Sequence, residues 1–186
     1  NTTVIFEGKP IRTPDASTFW RVINEHKVNV MFTAPTAIRA IKKEDPNGDF
    51  IKQYDLSSLR TQFLAGERCD VATLEWYREH IPIPTIDHWW QTESGWPMIS
   101  NMMGVEAPRI KPGSVGKSVC GFNIKIFGED GSELKTNEEG YVVVQLPLPP
   151  GTLLDLWQET QRFKADYLNK FPGYYFSGDG GFIDED

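Results

Sequence analysis

The stretch Thr85-Ile-Asp-His-Trp-Trp-Gln-Thr-Glu-Ser-Gly-Trp-Pro97 decides how the fold of this chain is interpreted. A short apolar strand predicted over 81–86 leads here into an acid, three ring-bearing side chains and a polar cluster. Ligands of open α/β sheets bind at the carboxyl ends of the strands. Rings beside acids and amides at that position suit a site that stacks a flat heterocycle and handles charge next to it. The alternative is a strand and turn whose tryptophans fill a core, because tryptophan is usually mostly buried.

The N-terminal part of the chain alternates predicted strands with predicted helices, which is typical of a parallel or mixed α/β sheet. Loops that follow parallel strands lie on one edge of the sheet. We therefore expect loops 33–36, 66–69 and 87–95 to converge on one site. The pattern predicts strands over 2–6, 28–32, 59–65 and 83–86, a helix that starts at Pro14, and helices over 37–44 and 71–80.

After residue 104 the pattern changes to short segments separated by prolines and glycines. Alternation over 122–127 and a clean strand over 141–146 predict a small antiparallel sheet or barrel. A helix is predicted over 160–170, and a strand from Tyr174 is expected to reverse in a tight Gly-rich turn. The pattern thus predicts a βα sheet subdomain, residues 1–104, with the site loops, and a mainly β subdomain with one helix, residues 105–186.

The charge and the cysteine content argue against several classes of function. A net charge of −7 and a pI of about 5.0 argue against nucleic acid or an anionic membrane as partner, because phosphate binding requires clustered basic residues. Two isolated cysteines argue against a disulfide framework and favour a reducing compartment. No apolar run approaches the ~20 residues that a transmembrane helix needs. We expect an intracellular protein, in the cytoplasm or the mitochondrial matrix, and the oligomeric state stays open.

Two polar features suggest phosphate and sugar chemistry. Thr92 and Glu93 offer a hydroxyl beside a carboxylate, which can hold Mg²⁺ and donate to a phosphate oxygen. The alternative for this pair is the cap of a helix N-terminus. Asp179 lies in Ser-Gly-Asp-Gly-Gly, where the backbone can approach a ligand closely and the carboxylate can accept both ribose hydroxyls. The alternative for Asp179 is a hairpin turn.

The loops also offer flat and aromatic surfaces. Gly66 and Glu67 follow a buried strand, so the backbone there can pack against a base, although a plain turn has the same pattern. Trp89 and Trp90 point to opposite sides of an extended chain, so that one can stack a base while the other walls a different pocket. No GxxxxGK[ST], GxGxxG or GxSxG pattern is present, and no nucleophile is placed against His88, so a catalytic triad is not expected.

Four motifs resemble those of the AMP-forming acyl-CoA synthetases, which belong to the adenylate-forming superfamily. They are Phe32-Thr-Ala-Pro-Thr-Ala-Ile-Arg39, Gly66-Glu67, Trp89-Trp-Gln-Thr-Glu93 preceded by Asp87, and Tyr175-Phe-Ser-Gly-Asp179. Within that family the chain looks like the short-chain branch, the acetyl- and propionyl-CoA synthetases. The stretches Ala65-Gly-Glu-Arg-Cys-Asp70, Asp87-His-Trp-Trp and Leu146-Pro-Leu-Pro-Pro-Gly151 are more similar to propionyl- than to acetyl-CoA synthetase.

The resemblance implies an acid–thiol ligase of α/β fold, in which the chain forms part of the N-terminal domain. A short carboxylate, propionate or acetate, attacks the α-phosphorus of ATP and gives acyl-AMP and pyrophosphate, and the thiol of coenzyme A then displaces AMP. The implied cofactors and substrates are therefore ATP/AMP, Mg²⁺, coenzyme A and the acid. Such a transfer is catalysed mainly by positioning of the reactants and by neutralisation of the phosphate charge.

The resemblance also implies site residues. Thr92 and Glu93 are the catalytic pair, with Glu93 as the Mg²⁺ ligand and with Gln91 and Thr92 on either side of the α-phosphate. Asp179 holds the ribose hydroxyls. Trp90 closes the acyl pocket, with Thr33 and Ala65 on its sides. The adenine is lined on one face by Gly66, Glu67 and Arg68 and on the other by Asp87, His88 and Trp89, of which Trp89 stacks.

The departures from the family pattern are as informative as the matches. The Ser/Thr/Gly-rich phosphate loop with its lysine, the ribose-binding arginine, the hinge and the small C-terminal domain with its catalytic lysine have no counterpart in this sequence. We therefore expect the 186-residue chain to be inactive by itself. Two alternatives stay open: another adenylate-forming branch, which the bulky double tryptophan disfavours, and a non-catalytic nucleotide-binding module.

The alanine at position 65 predicts the acid that is preferred. Acetate-specific relatives carry a larger aliphatic residue where Ala65 stands, and one methylene of pocket space is worth ~1–3 kcal/mol of discrimination. Ala65→Val should therefore shift the ratio of kcat/KM values for propionate and acetate about tenfold or more toward acetate. The measurement is a steady-state assay of the full-length protein with both acids, and an unchanged ratio would contradict the assignment.

Overall fold

The computed structural model describes residues 2–105 and 109–186, which form two units that are interleaved along the chain. Unit 1 comprises Asn1–Trp89 and Ile99–Lys117, and unit 2 comprises Trp90–Met98 and Ser118–Asp186. The stretch 85–97 is thus divided between the units at its double tryptophan, whereas the sequence pattern divides the chain once, at residue 104. The α/β fold class expected from the sequence is confirmed.

Unit 1 contains a three-stranded parallel sheet of order β1-β2-β3, as the βα alternation predicted. The register places Thr33 beside Leu64 and Leu64 beside Asp87, so the three strands end at one edge. The elements are α1 (Thr18–His26), β1 (Val30–Thr33), α2 (Pro35–Glu44), a 3₁₀ turn (Ile51–Gln53), β2 (Thr61–Leu64), α3 (Val71–His80), β3 (Thr85–Asp87) and the two-residue strand β4 (Ile99–Ser100).

The core of unit 1 explains why its helices form. Two apolar residues in each of α1 and α2 lie at helical spacing and are fully or almost fully buried: Trp20 and Ile23, and Ile38 and Ile41. The hydroxyl of the buried Tyr77 on α3 donates to the side-chain carbonyl of Gln62 on β2 at 3.0 Å, so the polar group beneath the sheet is satisfied. The principal core side chains are Trp20, Ile23, Ile38, Ile41, Leu64, Leu74, Trp76 and Tyr77.

Two predictions near the N-terminus are wrong. Residues 2–6 form no strand, because no strand of the described chain pairs with them and their side chains are mostly exposed. The first helix begins at Thr18 and not at Pro14, because local hydrogen bonds hold a turn before it. Asp15 accepts the backbone N–H of Ser17 at 2.8 Å, and the Thr18 hydroxyl donates to the Thr13 carbonyl at 2.7 Å.

Unit 2 contains a three-stranded antiparallel sheet of order β6-β7-β8, which confirms the predicted small antiparallel sheet. Its core is aromatic: Phe127, Val143 and Phe171 are buried among the half-buried rings of Tyr141, Tyr174 and Phe176. The strands are β6 (Ile124–Phe127), β7 (Gly140–Gln145) and β8 (Tyr174–Gly181), with α4 (Thr160–Phe163) and a π-helical turn (Lys164–Leu168) before β8; the two-residue strand β5 (Lys117–Ser118) lies at the boundary of the units.

Two features of unit 2 differ from the sequence pattern. The helix predicted over 160–170 is one α turn that continues as a π turn. The predicted Gly-rich reversal after Tyr174 is absent, because β8 runs on through Asp179 to Gly181. Gly178 takes a positive φ of 79°, and the pairing register with β7 shifts near Tyr141, so the glycine allows an irregularity in the strand without reversing it. In the described part of the chain no helix is long and apolar enough to span a membrane.

Asp87 links the ends of two strands. It is the last residue of β3, its exposed fraction is 5 %, and its carboxylate accepts the backbone N–H of Cys69, in the loop after β2, at 3.0 Å. Burial raises the pKa of Asp87, although this hydrogen bond and the charge of Arg68 oppose the rise. A raised carboxyl pKa means that the ionised form costs folding free energy at neutral pH.

We therefore predict that Asp87→Asn increases the free energy of unfolding at pH 7, because the amide keeps an acceptor for Cys69 and loses the charge. The difference in unfolding free energy between Asp87→Asn and the wild type should shrink as pH falls from the raised pKa of folded Asp87 toward the ordinary aspartate pKa. Below both values the wild-type carboxyl is protonated in the folded and in the unfolded protein, so the charge no longer costs stability. Urea unfolding between pH 4 and 8 measures it.

The matched variant is Asp87→Ala, which leaves the buried N–H of Cys69 without its acceptor and should destabilise the protein by ~1–3 kcal/mol. A loss of stability in Asp87→Asn as large as in Asp87→Ala, at every pH, would contradict the assignment.

Candidate functional site

The edge of the unit 1 sheet brings four predicted site residues together. The backbone N–H of Ala65 donates to the carbonyl of Thr33 at 3.2 Å, and the N–H of His88 donates to the carbonyl of Leu64 at 3.2 Å. Both bonds extend the parallel ladder one residue past the strands. Thr33, Ala65, Asp87 and His88 are therefore held by backbone pairing at the carboxyl edge, where ligands of such sheets bind.

His88 is a buried and electrically neutral ring in this edge. Its exposed fraction is 5 %, and the edges of Phe32 and Phe63 contact it with centroid distances of 5.4 and 5.5 Å. Burial lowers the pKa of His88, although two backbone hydrogen bonds oppose the shift. Among the described residues its Nδ1 has no hydrogen-bond partner. Unpaired buried polar atoms are costly, so the neutral ring of His88 carries a polar group that packing within the described residues leaves unsatisfied.

The loop after β2 is shaped by α2. Gly66 takes a positive φ of 96°, which turns the exposed residues Glu67 and Arg68 away from the strand. The carboxylate of Glu67 accepts the Thr36 hydroxyl, and it pairs with the guanidinium of Arg39 at 2.5 Å. The hydrogen bond from Thr36 lowers the pKa of Glu67, so this acid is ionised at neutral pH.

The thiol beside these residues is not a nucleophile at neutral pH. Cys69 has an exposed fraction of 1 %, and burial together with the charges of Asp87 and Asp70 raises its pKa to about 11. Only a thiolate attacks efficiently, so the site has no cysteine chemistry here. Asp70 instead caps α3, because its carboxylate accepts the backbone N–H of Thr73 at 2.8 Å.

The two tryptophans lie in different units and are only partly buried. Trp89 forms an antiparallel bridge with Ile99 in unit 1, with N···O distances of 3.0 and 3.2 Å. Trp90, in unit 2, has an exposed fraction of 38 %. Neither ring is sealed in a core, which was the alternative for this stretch.

The Gln-Thr-Glu segment of unit 2 is a tight turn that Ser94 closes. The buried Ser94 hydroxyl accepts the backbone N–H of Gln91 at 3.1 Å and lies 2.8 Å from the carbonyls of Gln91 and Trp96. The carbonyl of Glu93 accepts the N–H of Leu153 at 2.7 Å. Thr92 is exposed and Glu93 half-buried at the tip, so both side chains are presented by a fixed backbone.

A second group of hydrogen bonds connects Glu93 with Asp179 inside unit 2. The Tyr167 hydroxyl donates to Glu93 Oε1 at 3.0 Å, and the Tyr175 hydroxyl donates to Gln91 Oε1 at 2.8 Å. The Gln91 amide nitrogen donates to Asp179 Oδ2 at 2.8 Å. The rings of Tyr167 and Tyr175 stack at 5.6 Å with planes 7° apart. The predicted residues Gln91, Glu93 and Asp179 therefore meet around two tyrosines.

The predicted site residues thus fall into two groups, and sequence reasoning missed several that support them. Ser94, Tyr167, Tyr175, Thr36 and Arg39 were not assigned roles. One signal was available, because Tyr175 and Asp179 belong to the same motif, Tyr175-Phe-Ser-Gly-Asp179. Unit 1 holds Thr33, Ala65, Gly66, Glu67, Arg68, Asp87, His88 and Trp89, and unit 2 holds Trp90, Gln91, Thr92, Glu93 and Asp179.

The donor set at the turn fits Mg²⁺ better than a transition metal. In the described part of the chain no three or more histidines, cysteines or acids gather as a metal site. Glu93 has one oxygen engaged by Tyr167 and a second oxygen available, with the Thr92 hydroxyl next in sequence. Mg²⁺ prefers oxygen ligands and keeps several waters, so one carboxylate suffices.

Comparison with known proteins finds relatives along the whole chain. The chain is 49 % identical over 187 residues to acyl-CoA synthetase short-chain family member 3, mitochondrial, of Homo sapiens; the match covers 100 % of this chain and 27 % of that protein. It is 38 % identical over 186 residues to propionate–CoA ligase of Escherichia coli (strain K12), with 99 % of this chain and 29 % of that protein covered. The chain therefore spans less than a third of the length of these curated relatives.

A solved structure and a family profile extend the comparison. The crystal structure of the anthranilate CoA ligase AuaEII in complex with anthranoyl-AMP is similar, with a TM-score of 0.76 and 28 % identity. That match covers 92 % of this chain and 30 % of the ligase. The profile of the AMP-binding enzymes matches residues 1–148. This chain belongs to the AMP-binding enzyme family.

Proposed function

We propose that this chain provides part of the adenylation site of an AMP-forming short-chain acyl-CoA ligase. The reaction joins a short carboxylate to coenzyme A through acyl-AMP, with release of pyrophosphate and AMP. The observation that carries the proposal is the meeting of Gln91, Glu93 and Asp179 in unit 2, because the family resemblance implies one carboxylate for the metal and one for the ribose. The names of the similar proteins support the same reaction class.

In this proposal the turn of unit 2 handles the phosphates. Glu93 would hold Mg²⁺ through its free oxygen, and the exposed Thr92 hydroxyl would donate to the α-phosphate. Bound Mg²⁺ would neutralise phosphate charge as it develops during the transfer. Asp179 would accept the ribose hydroxyls. Both Nε2 hydrogens of Gln91 donate to Ser177 and Asp179, and its backbone N–H donates to Ser94, so we propose that its side chain supports Asp179 and that Thr92 contacts the α-phosphate.

The edge of unit 1 would bind the base and the acid. Gly66, Glu67 and Arg68 would line one face of the adenine, and Asp87, His88 and Trp89 the other. The buried, neutral His88, whose Nδ1 has no partner among the described residues, supports a ligand contact there. The buried Ala65 beside Thr33 would leave room for a short acyl chain.

The substrate we propose is propionate or acetate, with propionate favoured by the small residue at position 65. The relative from Escherichia coli is named for propionate, which supports this choice. ATP and coenzyme A are the other proposed substrates, and we propose an intracellular location because both are intracellular metabolites.

The test is exchange of labelled pyrophosphate into ATP by the full-length protein, with acetate, propionate and butyrate compared. We expect exchange that requires both Mg²⁺ and an acid and is fastest with propionate. Glu93→Gln keeps an acceptor for the Tyr167 hydroxyl but removes the negative charge that would bind Mg²⁺, so it should reduce kcat about 10²–10³-fold.

The isolated 186-residue chain, assayed for pyrophosphate release with ATP, Mg²⁺ and propionate, should show no turnover. Robust turnover by this chain would refute the expectation that further segments are needed. Acid-independent exchange, or full activity in Glu93→Gln, would refute the proposed function.

A further inference from the structure

Tyr167 holds the carboxylate of Glu93 in one orientation. Its hydroxyl donates to Oε1 at 3.0 Å, which leaves Oε2 as the oxygen for a cation. Tyr167 lies on the π-helical turn Lys164–Leu168, and such turns frequently occur at functional sites. A hydrogen bond to a charged carboxylate is stronger than a neutral one, so the hydroxyl selects one rotamer of Glu93.

Tyr175 holds the side-chain amide of Gln91 in a similar way. Its exposed fraction is 2 %, its ring stacks on Tyr167, and its hydroxyl donates to Gln91 Oε1 at 2.8 Å. Burial raises the pKa of both tyrosines, and the charge of Glu93 adds to the rise. Both phenols are therefore neutral donors throughout the physiological range.

The amide of Gln91 has only one orientation that satisfies its neighbours. Nε2 donates to the carbonyl of Ser177 and to Asp179 Oδ2, each at 2.8 Å, while Oε1 accepts from Tyr175. A flipped amide would place Oε1 against two acceptors. The two acceptors set the orientation of the amide, the Tyr175 hydroxyl anchors its Oε1, and the amide in turn holds the carboxylate of Asp179.

We propose that Tyr167 and Tyr175 are positioning residues of the adenylation site. Tyr167 orients Glu93 toward Mg²⁺, and Tyr175 acts through Gln91 to orient Asp179 toward the ribose. The inference rests on the proposed function. The rival explanation is that the two stacked rings only pack unit 2, in which case the hydroxyls are dispensable. Tyrosine to phenylalanine substitutions separate the two explanations, because they keep the rings and remove the hydroxyls.

The experiment uses the full-length protein and its pyrophosphate exchange. Tyr167→Phe should raise the Mg²⁺ concentration that gives half the maximal rate about tenfold. Loss of a group that orients a metal ligand typically weakens metal binding about 10–100-fold, and we expect the lower end of that range. The KM of Tyr167→Phe for ATP at saturating Mg²⁺ should change less than about twofold. Tyr175→Phe should raise the KM for ATP about tenfold, because it removes the hydrogen bond to Gln91, which is worth ~1.4 kcal/mol. It should leave the Mg²⁺ dependence unchanged.

The matched control is Tyr174→Phe, a neighbouring residue of β8 whose ring packs on Phe127 outside this group of hydrogen bonds. It should leave both constants unchanged. If the hydroxyls only stabilise the fold, each tyrosine to phenylalanine variant should raise both the KM for ATP and the Mg²⁺ concentration for half-maximal rate, and should lower Tm. That outcome, or wild-type Mg²⁺ dependence in Tyr167→Phe, would overturn the inference.

A binding measurement separates failure of this inference from failure of the proposed function. Mn²⁺ binding in the presence of ATP, followed by electron paramagnetic resonance, requires no turnover. If the wild type shows no acid-dependent exchange, the proposed function fails. Weaker Mn²⁺ binding in Tyr167→Phe than in Tyr174→Phe would still support positioning of Glu93, and absent or unchanged Mn²⁺ binding would overturn it.

Discussion

The parallel backbone ladder of β1, β2 and β3 is the constraint on which the unit 1 half of the candidate site depends. Its register aligns Thr33, Leu64 and Asp87, and two further N–H···O bonds carry the pairing into the loops. Side chains far apart in sequence are thereby held a few ångströms apart by backbone geometry alone. A site built in this way needs no particular side chain to assemble it, so the loop residues are free to serve a ligand.

The polar groups at this edge have a cost that folding alone does not explain. Asp87 is buried and its pKa is raised, and the ring of His88 is enclosed by phenylalanine edges with one nitrogen unpaired among the described residues. A neutral side chain that keeps an acceptor for Cys69 would cost less at position 87. Titratable groups held in unfavourable environments are typical of functional sites, and both belong to the stretch from which the sequence analysis began.

The fold was predictable where local pattern and tertiary packing agree. The helix Val71–His80 has the predicted bounds, because Asp70 caps it and its apolar residues meet the core. Residues 2–6 show the opposite case, since β-branched residues form a strand only beside a partner, and none pairs with them in the described chain. The strand through Asp179 was missed because Gly-rich sequence is compatible with both a reversal and a strand irregularity, and only the pairing with β7 decides between them.

The sequence by itself determined the α/β class, the family and the residue types of the site, because hydrophobic periodicity and contiguous motifs are local properties. Only the tertiary structure decided which side chains act together. Tyr167 and Tyr175 are distant in sequence from Gln91 and Glu93, and no local pattern predicts that a phenol will donate to a given carboxylate or amide. Hydrogen bonds between side chains depend on the three-dimensional path of the backbone, so the support of Glu93 and Asp179 became visible only when unit 2 was folded.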